Sequence, residues 1–143
     1  MPRLEELQES YRALDVPRTW ESEEAIDPSL LLCFDYDYPR QEAEVTIDTD
    51  EFTAVCPWTG LPDLGRLTIS YVPHRLCIEL KSLKYYLLTY RQVGIVQEHA
   101  ANRILQDLVA ACRPRRMTVT LDYRVRGGLH TVVTVRYDPS HQG

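Results

Sequence analysis

No stretch of the 143-residue sequence stays apolar beyond the few residues of Ser29–Phe34 (SLLLCF), far short of the roughly 20 that a membrane-spanning helix needs. The opening residues MPRLEELQES carry acids where a signal peptide would carry its apolar stretch, so export is not expected. There is no basic excess either. Sixteen Lys and Arg stand against twenty-one Asp and Glu, a net charge of −5, which argues against a protein held mainly by nucleic-acid phosphates. The six glycines never fall into GxGxxG or GxxxxGK[ST], so neither a Rossmann nor a P-loop phosphate cradle is encoded. The four cysteines include no CxxC pair, and His74, His99, His130 and His141 include no HExxH spacing, so no zinc site is expected. Internal repeats and low-complexity tracts are absent. What remains is a cytoplasmic protein with neither a membrane nor a nucleic-acid partner.

The composition that is present, 44% hydrophobic and 26% charged, is that of an ordinary globular domain, and the length suits one core. Residues 1–28 read as a loosely ordered lead-in. It carries a short helix with a weak apolar stripe at Leu4, Leu7, Tyr11 and Leu14. Residues 29–143 read as one domain. Strands are expected at Ser29–Tyr36 and Ala43–Thr49, joined in a hairpin-like way, then over Arg66–Val72 and His74–Leu80. The period then changes to that of helices over Lys81–Arg91 and Gln97–Arg113. The second has an apolar face at Ala101, Ile104, Leu105, Leu108, Val109 and Cys112, and ends at Pro114. Two more strands, Arg116–Val125 and Leu129–Tyr137, meet at Gly127-Gly128, a strong hairpin signal. The order strand-strand-helix-helix-strand-strand predicts an α+β fold, an antiparallel sheet with two helices on one face. Exposed strand edges in such a sheet invite self-association.

Three constellations have residue types that do chemistry. Cys33, Cys77 and Cys112 lie in apolar runs and read as reduced core residues, whereas Cys56 stands among Pro57, Gly60, Pro62 and Gly65. With Asp63 it is either a thiol nucleophile beside a proton donor or a loop cysteine beside a turn-forming aspartate. Lys81 and Lys84, three apart on one helix face, are either phosphate contacts or a solvated charged face; Glu79 precedes them among apolar neighbours. Gln97, Glu98 and His99 open the long helix, where Glu98 is either a dipole-favoured cap or a carboxylate aimed at the N–H edge of a heterocycle.

The segments Glu51–Gly65 (EFTAVCPWTGLPDLG), Glu79–Lys84 (ELKSLK), Val93–Leu105 (VGIVQEHAANRIL) and Arg124–Thr131 (RVRGGLHT) occur in an order and spacing that covers most of the chain. Together they resemble the single-domain nitrile reductases that convert 7-cyano-7-deazaguanine to 7-aminomethyl-7-deazaguanine on the way to queuosine. The resemblance implies the tunnelling fold (T-fold), with subunits joined into two stacked pentameric rings, a homodecamer, and with sites between subunits. It implies Cys56 as nucleophile and Asp63 as proton donor. Substrate contacts would come from Ile78, Glu79, Leu80, Gln97, Glu98 and His99, and NADPH contacts from Lys81, Ser82, Lys84 and Arg126. The substrate would be the free base, NADPH the co-substrate, and no metal would take part. Two departures stand out: Gln97 precedes Glu98 where some members have His, and Ala100 stands where some place a second cysteine able to shield Cys56 as a disulfide. A zinc-dependent GTP cyclohydrolase of the same fold and a non-catalytic purine-binding subunit are the alternative readings.

Overall fold

A computed structural model describes residues 3–15 and 18–141; the remaining positions of the lead-in and of the C-terminus lie outside the described residues. Helix α1 (Leu4–Leu14) is followed by two single 3₁₀ turns and the short strand β1 (Cys33–Asp35). The body consists of β2 (Val45–Val55), β3 (Pro62–Val72), β4 (Leu76–Ile78), α2 (Leu80–Leu88), α3 (Gln97–Cys112), β5 (Arg116–Tyr123) and β6 (Val132–Tyr137). The main sheet is antiparallel in the order β2-β3-β5-β6, and β1 pairs with β4 in a separate two-stranded ribbon. The expected hairpin joining Ser29–Tyr36 to Ala43–Thr49 is therefore not formed. Three residues of the first segment pair instead with a strand more than forty positions later, and although the chain turns at Pro39-Arg40, where Gln41 N–H donates to the Tyr38 carbonyl, no strands pair on either side of that turn.

Alternation decides the layers. On β3, Leu67, Ile69 and Tyr71 are buried, and on β5 Met117, Val119, Leu121 and Tyr123, while the Thr, Ser and Arg residues between them face outward. Helices α2 and α3 cover the apolar face through Leu83 and Tyr86, and through Ala100, Ala101, Ile104 and Leu108. A full core position such as Ile104 is worth about 2–5 kcal/mol against alanine. The two helices are locked to each other by polar bonds. The Tyr86 hydroxyl donates to Asp107 Oδ2 (2.7 Å), it shares a 2.8 Å bond with the Tyr90 hydroxyl, and Arg103 Nε donates to the same carboxylate oxygen at 2.8 Å.

Strand β2 runs six residues further than alternation predicts, to Val55 instead of Thr49, and contains a bulge. Thr49 pairs with Leu67 but Phe52 with Gly65, so one extra residue sits on β2. Before the bulge the odd positions Val45 and Ile47 face the core; after it the even positions Phe52 and Ala54 do.

The lead-in behaves as two pieces. Helix α1 buries none of its residues. From Trp20 onward the chain is docked, unlike the loosely ordered lead-in expected over residues 1–28. Glu21 N–H donates to the Gln92 carbonyl (2.7 Å), Gly94 N–H donates to the Glu21 carbonyl (2.9 Å), and Ile26 is 3% exposed.

Candidate active site

The bulge sets the direction of Cys56. Continuing the even-numbered inward face from Phe52 and Ala54, Cys56 turns toward the core side and is buried, and Asp63, paired opposite Ala54, shares that side. The thiol and the carboxyl are thus diagonal neighbours across the β2–β3 turn. The turn residues expected around Cys56 divide: Pro57 and Gly60 lie in the loop Cys56–Leu61, closed by Cys56 N–H on the Leu61 carbonyl and Gly60 N–H on the Cys56 carbonyl, whereas Pro62 and Gly65 lie in β3. Within this single helical turn the sulfur occupies the position of an N-cap acceptor. Burial raises the thiol, but the Thr59 hydroxyl, the Trp58 and Thr59 backbone N–H groups and the Arg126 charge outweigh it and hold the group below the ordinary thiol value.

Glycine is required at two places around this turn. Gly60 ends it at φ 71°, and a Cβ there would lie 2.8 Å from Arg18 Cβ. A Cβ on Gly94 would come within 2.3 Å of the Trp20 ring. Trp20 therefore lies across both glycines, fastening the docked lead-in over the Cys56 turn. Nothing in the sequence marks Trp20 as part of the site, and Thr59, although it lies within the Glu51–Gly65 segment, is not singled out there.

Asp63 is 5% exposed. Its Oδ1 accepts from Arg126 Nη1 at 2.7 Å, while Oδ2, fully buried, has no hydrogen-bond partner among the described residues. Arg126 opens the turn through Gly127 and Gly128 (φ 59° and 78°), where its N–H and carbonyl both bond Leu129. Helix α3 begins beside the same corner, because Val55 exchanges backbone bonds with Val93 and Ile95. Gln97 is buried with its carbonyl accepting from the Tyr123 hydroxyl (3.1 Å); Glu98 and His99 are exposed. Tyr123 is raised by burial first and then by the Asp63 and Glu98 charges, which places both acids around one ring. Cys56, Asp63, Gln97, Glu98 and Arg126 thus converge on one end of the sheet, with His99 next along the helix.

The remaining candidates do not join them. Ile78 is tied by its N–H to the Tyr71 hydroxyl (3.0 Å), and Tyr71 lies eight residues along β3 from Asp63, roughly 26 Å of strand. Glu79 does not end a strand, as the sequence suggested; it caps α2, accepting from Lys81 N–H (2.9 Å) and Ser82 N–H (2.7 Å), and these bonds lower its carboxyl. The buried Ser82 hydroxyl accepts from Leu32 N–H and donates to the Glu79 carbonyl, so it is occupied within the fold. Leu80, Lys81 and Lys84 are exposed. A cavity of about 300 Å³ lies between β2 and α2, with Leu80, Leu83, Leu87 and Phe52 as an apolar floor and Lys84 and Arg91 as cations. The carboxylate Glu51 lines the same cavity, and Lys81 does not. Among the described residues no group of His, Cys, Asp and Glu is arranged to hold a metal ion, and no helix is long and apolar enough to cross a membrane.

Residues 62–142 match the family model described as QueF-like protein. A protein of Caldicellulosiruptor bescii named NADPH-dependent 7-cyano-7-deazaguanine reductase is 53% identical over 115 residues, 80% of this chain and 88% of its own. One of the same name from Chlorobaculum tepidum is 50% identical over 117 residues, 82% of this chain and all of its own. Among solved structures, the apo archaeosine synthase QueF-Like superposes with a TM-score of 0.63 over 67% of this chain and 94% of its own. At 23% identity that likeness speaks for the fold alone.

Proposed function

The chain belongs to the QueF-like family of NADPH-dependent 7-cyano-7-deazaguanine reductases, and from that membership we propose that it reduces the nitrile of the free base 7-cyano-7-deazaguanine to the aminomethyl group, a cytoplasmic step toward queuosine. The observation that carries the reading is a thiol with lowered pKa on the same buried face as a carboxyl whose second oxygen is unpaired. A nitrile carbon accepts hydride poorly; addition of the Cys56 sulfur converts it to a thioimidate, and Asp63 protonates the nitrogen as the bond forms. NADPH supplies the two hydrides that take the thioimidate, through an imine, to the amine. Glu98, exposed at the start of α3, accepts from the ring N–H and amino donors of the base, with Gln97 and His99 beside it. Lys81 and Lys84 face the cofactor phosphates.

The separation of Ile78, Glu79 and Leu80 from Cys56 within one chain supports a site shared between subunits. The main sheet ends in two open edges, β2 and β6, which suit edge-to-edge closure into pentameric T-fold rings and a decamer of two rings. Mixing the protein with 7-cyano-7-deazaguanine and NADPH, and following loss of the reduced cofactor, tests the activity; two NADPH per nitrile are expected, and no substrate-dependent oxidation refutes it. Light scattering tests the assembly, with a multiple of five subunits expected. An active monomer refutes the shared site.

A further inference from the structure

We infer that Arg126 is a positioning residue for the proton transfer: its guanidinium grips Asp63 by Oδ1 and leaves Oδ2 as the oxygen that relays the thiol proton to the nitrile nitrogen. This rests on the reductase reading of the site. It gives Arg126 a task that precedes any contact with NADPH.

Four observations lead there. The ion pair is short, 2.7 Å, and uneven: the Asp63 side chain is 4% exposed and that of Arg126 is 52% exposed. A carboxylate this deeply buried ordinarily has both oxygens satisfied, yet Oδ2 has no partner among the described residues. A buried oxygen with a free lone pair, on a carboxyl that flanks the same β2–β3 turn as Cys56, is what a proton relay requires, and fixing the other oxygen stops the carboxyl from rotating away. The arginine is itself held firmly. Its backbone closes the Gly127-Gly128 turn on Leu129 in both directions, and Arg124, two residues earlier, donates its N–H to the carbonyl of Leu64, next to Asp63. The guanidinium charge also acts on the Cys56 sulfur, so one side chain touches both halves of the reacting pair electrostatically.

The step balances without a co-reactant. The Cys56 S–H proton passes to Asp63 Oδ2, the sulfur forms its bond to the nitrile carbon, and one C≡N electron pair moves to nitrogen. The proton on Oδ2 then moves to that nitrogen, giving C=N–H and returning the carboxylate. Nothing is oxidised or reduced.

Adduct formation needs no NADPH, which separates positioning from cofactor binding. The experiment follows the rate of substrate addition to the parent protein, Arg126→Ala, Arg126→Lys, Asp63→Asn and the Arg126→Ala/Asp63→Asn double variant by rapid-quench mass spectrometry, with the nitrile and without NADPH. Arg126→Ala is expected to slow addition on the order of 10²-fold, the scale of a misplaced catalytic group, with partial recovery in Arg126→Lys. In the Asp63→Asn background, Arg126→Ala is expected to cost much less than in the parent, the remainder being its direct charge effect on the Cys56 sulfur. Substrate affinity, read by calorimetry in a Cys56→Ala background, is expected to stay within a few-fold. Addition at the parent rate in Arg126→Ala, even with a raised KM for NADPH, overturns the inference and leaves the reductase reading standing. Full multiplication of the two losses in the double variant overturns it as well. Absence of any adduct in the parent protein overturns both.

Discussion

Cys56 and Cys112 are almost equally hidden, 3% and 1% exposed, yet their thiols are pushed in opposite directions. Cys112 ends α3 in a corner shared with Cys33 and Cys77; burial, then the neighbouring sulfurs, push it up to about 12. Cys33 and Cys77 are raised as well, again mainly by burial. Cys56 sits in a tight turn whose N–H groups and Thr59 hydroxyl point at its sulfur, with a guanidinium nearby. The contrast teaches that inaccessibility does not silence a cysteine. What faces the sulfur does: donors and positive charge favour the thiolate, apolar surroundings and other thiols the neutral form.

The largest expected effect erases the contrast outright. Cys56→Ala should abolish the substrate adduct seen by intact-mass measurement without NADPH, whereas Cys112→Ala should retain it and lose only about 1–2 kcal/mol in a urea melt. An adduct on Cys56→Ala would falsify the nucleophile assignment. Next comes the acid on the reactive side: Asp63→Asn should bind the base but form adduct 10²–10⁴-fold more slowly in stopped-flow, the usual weight of a positioned proton donor. Parent-rate addition removes Asp63 from the chemistry.

Glu98→Ala acts on recognition. Leaving the base's donors unpaired costs about 1–3 kcal/mol, so affinity should fall roughly tenfold to a few hundredfold; normal binding by calorimetry sinks that role. The smallest effect sharpens the contrast itself. With its pKa lowered, Cys56 should begin to react with iodoacetamide below the pH at which an ordinary thiol does, while Cys112 stays protonated throughout the range from 7 to 9. Thr59→Val removes one donor to the thiolate, moves that onset upward, and should slow Cys56 alkylation at pH 7 by several-fold to about tenfold. Cys112 should not respond. An unchanged Cys56 profile would mean the hydroxyl does not tune it.

The β3, β5 and β6 strands, the helices α2 and α3 and the Gly127-Gly128 turn were all legible in the sequence, because alternation, helical spacing and turn residues are local properties written every two to four positions. Cys56, Asp63 and Glu98 could be singled out there by residue type and setting alone. Tertiary structure alone decided their geometry. The bulge between Thr49 and Phe52 exists only as a mismatch against β3, and it turns Cys56 to the buried side. Glu79 reads as a strand end until α2 folds onto its carboxylate, and nothing local shows that the Ser82 hydroxyl meets Leu32, fifty positions earlier. Asp63 and Arg126 stand 63 positions apart. No local pattern chooses which arginine meets which acid, because that choice depends on the pairing of β3 with β5 and on the turn that follows.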